Sequence, residues 1–167
     1  MEANGPQPAI DRGGVGCRGP AARVSIPFTR PLYLLDHSAM SRYRTDTTVA
    51  LEIDRLAVAG ILCASMVTMD EARFSARNAR DLTAVTGFYR SVLNWLPTDD
   101  AVEAEVERIR SALWKIGAGR GAQTTDIQIA ATALRHNAIV VHNDTDFITI
   151  ARAVPELAQV RIQPESG

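Results

Sequence analysis

The sequence predicts an α/β domain built around a parallel sheet, and three observations carry that expectation. Short, continuously apolar runs at Leu32 to Leu35, Ile61 to Ala64 and Ala138 to Val141 have the length and character of strands covered on both faces. Helical patterns separate these runs, which suits strands that return to one sheet through crossovers. Carboxylates recur just after the runs, at Asp36 and Asp144, and in open α/β sheets ligands sit beyond the carboxyl ends of the strands.

The elements follow in order. Residues 1–30 are rich in Gly and Pro, mildly basic and without apolar pattern, so they are expected to form a disordered leader before a folded domain at 31–163. Pro31 bounds the first strand, which ends at Asp36. Taken alone, Asp36 reads equally well as a functional acid or as the cap of a following helix. Thr45-Asp46 caps a helix through about Ala59, with Val49, Ile53 and Leu56 on one face and Gly60 as its stop. After the strand Ile61 to Ala64, Thr68 and Glu71 stand at capping-box spacing, an ordinary structural explanation for Glu71.

Helical pattern then runs to about Leu93, with a break near Asn78 and a fresh start at Asp81. Asn94 to Pro97 forms a brief strand. Thr98-Asp99-Asp100 caps a helix from Ala101 to about Ile116 whose buried stripe is Val102, Val106, Ile109 and Leu113. The Gly117 to Gly121 loop lacks P-loop spacing, but its Arg120 is a candidate phosphate contact. Thr124-Thr125-Asp126 opens a nearly all-apolar, hence buried, helix. The strand Ala138 to His142 leads through Asn143-Asp144-Thr145-Asp146 into a helix ending near Ala153, and Val160 to Ile162 closes the sheet as an edge strand.

With 167 residues and 46% hydrophobic content, the chain can bury one good core, so one domain is expected. A net charge of -1 argues against gripping nucleic acid by bulk positive charge, though not against a local basic rim. Cys17 and Cys63 have no metal-ligand spacing, and Cys63 reads as a buried reduced thiol. No run approaches the roughly 20 apolar residues of a membrane span, and the N-terminus lacks a secretory core; a cytoplasmic location is the expectation.

Asp36, Glu71, Asp126 and Asp144 would converge at one sheet edge. Crowded like charges repel unless a cation neutralises them, and an oxygen-only donor set without Cys or His favours Mg²⁺, with Mn²⁺ as the alternative, over Zn²⁺. Each acid alone is more often a cap or a solvated surface group; the recurrence is the specific signal.

From Leu32 to Ile162 the chain resembles the PIN domain family, and within it the VapC-type toxins of bacterial toxin–antitoxin pairs. The resemblance rests on Tyr33-Leu34-Leu35-Asp36-His37-Ser38, on Glu71, on Asp126-Ile127-Gln128-Ile129-Ala130-Ala131-Thr132-Ala133, and on Val140-Val141-His142-Asn143-Asp144-Thr145-Asp146-Phe147. It implies a three-layer α/β/α sandwich with a central parallel sheet, Mg²⁺-dependent endoribonuclease activity, a homodimer, and a small antitoxin as partner. Gln128 stands where the family commonly has an apolar residue, and the leader has no family counterpart. On this reading Asp36 and Asp126 are the direct metal ligands, while Glu71, Asp144 and Asp146 complete the metal set or orient the attacking water. Ser38 fixes Asp36 or contacts phosphate, and Arg73, Arg77 and Arg120 are candidate phosphate or antitoxin contacts. His37 and His142 are bystanders. Two alternatives stay open: a catalytically silent module that docks only a partner protein, and an aspartyl-phosphate phosphatase, for which Lys115, the only lysine, would have to serve.

Overall fold

The computed structural model describes residues 30–163, so the expected leader lies outside the described residues. Five parallel strands form one sheet in the order β3-β2-β1-β4-β5: β1 (Leu32–Leu35), β2 (Ile61–Ala64), β3 (Asn94–Trp95), β4 (Ile139–His142) and β5 (Gln159–Arg161). The chain builds outward from β1 to β2 and β3, then crosses back to place β4 on the other side of β1. Direction therefore reverses between β1 and β4. At such a switch point the crossovers diverge to opposite faces and leave a crevice beyond the strand ends.

The helices supply the outer layers. A short α1 (His37–Met40) and α2 (Thr47–Ala59) link β1 to β2, α3 (Met66–Phe74) and α4 (Ala79–Val92) link β2 to β3, and α5 (Asp100–Lys115) and α6 (Thr124–His136) precede β4. α7 (Asp146–Ala153) leads to β5. Successive strand residues face opposite layers. Leu34, Cys63 and Val140 pack with Ile109, Leu113, Ile127, Phe147 and Ile150, whereas Tyr33, Leu35 and Val141 pack with Val49, Ile53, Met69 and Tyr89. The result is the expected α/β/α sandwich, and Cys63 is a buried free thiol as anticipated.

Several local expectations are corrected. Helix α3 starts at Met66, and its cap is Ser65, whose hydroxyl accepts the Thr68 N–H at 3.2 Å. Thr68 and Glu71 therefore form no capping box, and Glu71 keeps its carboxylate for other contacts. Helix α4 begins at Ala79 rather than Asp81 because Asn78 caps it, accepting the Asp81 N–H at 2.9 Å. Gly60 does end α2, but with φ -148 it lies in extended backbone. Glycine is needed there for space: a Cβ would meet the Pro31 carbonyl and the Tyr33 ring at 2.4 and 2.5 Å. The left-handed C-terminus belongs to α6, where Asn137 has φ 50. Val106 is only partly buried in the α5 stripe.

Candidate active site

Asp36 follows β1 directly, and its N–H completes the ladder to β4 by donating to the Val141 carbonyl at 2.9 Å. That bond levels the tips of β1 and β4. The Asp36 side chain is 3% exposed. Its Oδ2 accepts the Ser38 N–H at 2.9 Å and the Ser38 hydroxyl, so Asp36 caps α1 and is also a buried acid at the switch point. The capping reading of this residue holds, in a buried setting at the switch point. Ser38 Oγ in turn accepts the Asn143 N–H at 2.9 Å, stitching the β1 tip to the loop after β4. Its one proton goes to Asp36, so it fixes that acid and the loop, the first of the two roles expected for it.

The β4 tip is fixed by a residue read as a bystander. His142 is fully buried; its Nδ1 accepts the Asp144 N–H at 3.1 Å, so Nε2 carries the proton and donates to Gln159 Oε1 at 2.7 Å. Burial holds its pKa below the ordinary value. Asp144 Oδ1 accepts the Asp146 N–H at 3.0 Å, and Asp146 Oδ2 accepts the Gln123 N–H at 2.9 Å, tying α7 to the start of α6.

That last bond decides what Asp126 does. Asp126 occupies the third position of α6, where a carboxylate would ordinarily reach back to the cap residue's N–H. Asp146 has already taken that N–H, and Gln123 offers no side-chain cap. Asp126 is left 5% exposed, with Oδ2 buried and without a hydrogen-bond partner. Burial first, then the Asp146 carboxylate within hydrogen-bonding reach, then the charges of Asp36 and Asp144 push its pKa up to about 8. An Asp126–Asp146 hydrogen bond exists only when one of the two is protonated; with both ionised the contact is repulsive. Glu71, half-buried on α3, is also raised by burial and by the charge of Asp36, against a hydrogen bond from the Thr125 hydroxyl that lowers it.

Asp36, Glu71, Asp126 and Asp144 line one cavity of about 600 Å³, together with Ser38, and it sits at the switch point. Asp146 supports it from α7 without lining it. The cavity also takes in His37, Asp70, Phe74, Ser75, Gln123 and Thr125, to which the sequence alone gives no part in the site. Thr125 was the most readable of these, a hydroxyl beside Asp126 in a helix's first turn. Asp70 and Phe74 become visible only once α3 is known to start at Met66. Burial lowers the His37 pKa despite the adjacent Asp36, and His37 Nδ1 and the Tyr89 hydroxyl share a hydrogen bond at 2.9 Å. Arg120 is exposed and does not line the cavity.

For a divalent ion the fit lies in donor chemistry: hard oxygen donors, crowded negative charge and one buried oxygen with nothing to bind. Among the described residues, no three His, Cys, Asp or Glu side chains stand ready-made as a coordination set. Likewise no helix among them is long and apolar enough to cross a membrane.

A doubly wound parallel sheet with an acid-lined cavity at its switch point defines the class. The chain belongs to the PIN domain family, whose model matches residues 33–153. It is 34% identical over 119 residues to Ribonuclease VapC21 of Mycobacterium tuberculosis, a match spanning 71% of this chain and 86% of that protein. The fold is shared with VapBC2 of Rickettsia felis, solved bound to a DNA fragment from their promoter (TM-score 0.68, 15% identity, covering 79% of this chain and 99% of that one). It is also shared with VapBC-5 of Mycobacterium tuberculosis, described as a member of the VapBC family of toxin-antitoxin systems (TM-score 0.58, 19% identity, 78% and 98%).

Proposed function

We propose that the chain is a Mg²⁺-dependent endoribonuclease, with Mn²⁺ as the alternative ion, acting as the toxin of a toxin–antitoxin pair. The observation that carries this reading is Asp126: a buried carboxylate without a partner, crowded by Asp36, Asp144 and Asp146, is poorly placed as a structural group and well placed as a cation ligand. The ribonuclease name of its M. tuberculosis relative and the toxin–antitoxin origin of its structural neighbours support RNA as substrate and a small antitoxin protein as partner; a homodimer is the assembly we propose with them.

Asp36 and Asp126 would hold the ion directly, with Glu71, Asp144 and Asp146 completing the acidic set. Bound there, a divalent ion supplies Lewis acidity for phosphodiester hydrolysis. The chain's own residues do the rest. Ser38 fixes Asp36 and the Asn143 loop, and His142 holds the Asp144 backbone. Glu71, with raised proton affinity beside the other acids, is suited to accept the proton of an attacking water.

The test is a pair of measurements on the full chain. Mg²⁺ should raise the melting temperature by mass action. It should also switch on cleavage of single-stranded RNA that EDTA abolishes. Identical melting with and without Mg²⁺ or Mn²⁺, and no cleavage of any RNA, would turn the assignment towards a catalytically silent module that docks a partner protein.

A further inference from the structure

We infer that Phe74 is a nucleobase platform: its ring stacks a base of single-stranded RNA next to the phosphate held at the acidic cavity. The inference rests on the ribonuclease reading and names the part of the substrate that this site grips. Phe74 closes α3 and is 92% exposed, the most exposed large apolar side chain among the described residues. A Phe left in water forgoes burial that its neighbours on α3, Met69 and Ala72, obtain in full. Its position is tied to the acids, since it follows Glu71 by three residues and so stands one helical turn further along the same face. Both side chains line the same cavity.

The remaining lining explains why an uncharged grip is needed. Asp36, Asp70, Glu71, Asp126 and Asp144 line the cavity, and no Lys or Arg does. Arg73, beside Phe74 in sequence, lines an adjoining cavity with Asp70 and Glu71 rather than this one, and Arg77 is paired with Asp81 at 3.2 Å. An RNA strand seated in this cavity meets no cation in its lining, and Arg73 serves only the neighbouring stretch. A stacked base supplies affinity that carries no charge, and every base has a face to stack. A cavity of about 600 Å³ leaves room for a nucleotide beside the acids. Gln123 and Ser75, on the same rim, add polar groups able to meet a base edge.

The experiment compares wild type, Phe74→Ala and Phe74→Trp on one short RNA, intact and with single abasic positions. Phe74→Ala should lower kcat/KM roughly 5- to 150-fold, the usual worth of one stacked base. Phe74→Trp should restore it. In the wild type, one abasic position beside the cut should cost a similar factor; in Phe74→Ala the same lesion should cost nothing further. Equal cleavage by wild type and Phe74→Ala, or an abasic penalty unchanged by the substitution, overturns the platform. Unchanged cleavage with weakened binding of an inhibitory protein assigns the ring to a protein partner, and a Phe74→Ala change in sedimentation that accounts for lost cleavage assigns it to an interface between copies; either result overturns it. If the wild type cuts no RNA, the ribonuclease reading has failed, and the platform is judged on binding of the intact and abasic strands by anisotropy. There, equal affinity of wild type and Phe74→Ala overturns it.

Discussion

Helices α5 and α6 open on nearly the same letters, Thr98-Asp99-Asp100 and Thr124-Thr125-Asp126, yet the two openings do opposite work. Asp99 is exposed, accepts the Val102 N–H at 3.2 Å and takes the Arg135 guanidinium at 2.8 Å, so its lone pairs are used and its pKa is held down by Arg135. Asp126 is buried, leaves one oxygen unpaired, and has its pKa raised by burial. The difference is one of supply. At α5 the acid is given N–H groups and a cation; at α6 the N–H it would take is consumed by Asp146, and the neighbours that remain are acids. A helix-start carboxylate reads as structural when the fold satisfies it, and as a site when the fold declines to.

The sharpest way to break this comparison is Asp126→Asn. Asn sits among the acids without having to take up the proton that Asp126 needs there, so metal-free stability at neutral pH should be unchanged or higher. Cleavage should fall by about a hundredfold or more, since partners that only orient metal ligands are themselves worth 10–100-fold. Melting curves in EDTA and in Mg²⁺, with an RNA digest, check all three. A destabilised variant that still cuts RNA would make Asp126 a cap after all.

Ser38→Ala probes the supply side at the β1 tip. It removes the hydroxyl that Asp36 accepts and the acceptor of the Asn143 N–H, while Asp36 keeps the Ser38 backbone N–H. Cleavage should drop roughly 10- to 100-fold through misplacement of Asp36 and the Asn143 loop. Activity at the wild-type level would show that the β1–β4 stitch is dispensable.

Much of this was legible in the sequence because apolar runs and acids sit next to each other along the chain. Leu32 to Asp36 and Ile139 to Asp144 each state a buried strand and its acidic tip in a few letters. The four acids expected to converge, Asp36, Glu71, Asp126 and Asp144, line one cavity, with Asp70 as an unforeseen fifth. What stayed hidden depends on partners distant in sequence. That Asp146 Oδ2 takes the Gln123 N–H across 23 positions, and thereby frees Asp126, has no local signature. Ser65 as the α3 cap is hidden behind the Thr68/Glu71 capping-box spacing that follows it. His142 was passed over because its role is to hold a backbone N–H, a contact that no motif spells. Arg120 looked like a phosphate contact by its glycine-rich setting, yet the loop carries it away from the cavity lining.

The pH dependence of stability sharpens the comparison further. Asp126 is raised from an ordinary 3.8 to about 8, so between those values the folded state keeps a proton that the unfolded state has lost. Its contribution is fully present below about pH 4, declines as pH rises, and is gone above about pH 8. Glu71 is shifted in the same direction. His37 and His142, whose pKa values are lowered, act oppositely, weakening the fold as pH falls through the ordinary histidine value of 6.5. The Asp126 part is therefore read as the difference between wild type and Asp126→Asn in EDTA: the wild type should lose stability relative to the variant as pH goes from 5 to 8. Saturating Mg²⁺ should flatten that difference by favouring the ionised acids. A difference independent of pH would mean that Asp126 titrates like an exposed carboxylate.

The smallest effect belongs to the other helix. Asp99→Asn at α5 keeps a good capping side chain and removes only the charge facing Arg135, an exposed pair that salt screens and that contributes little. Because Asp99 is held below its ordinary pKa, its contribution is present at neutral pH and lost as pH falls through the carboxylate range, the reverse of Asp126. The variant should melt at or slightly below the wild-type temperature at pH 7, converge with it in acid, and cut RNA at the same rate. Asp99→Ala should lower the melting temperature further, since the Val102 N–H then loses its acceptor. Neither change should alter the stabilisation by Mg²⁺, because Asp99 lies outside the acid-lined cavity. If Asp99→Asn weakened Mg²⁺ stabilisation as Asp126→Asn does, the two helix starts would not differ in kind, and satisfaction of the carboxylate would cease to separate structure from site.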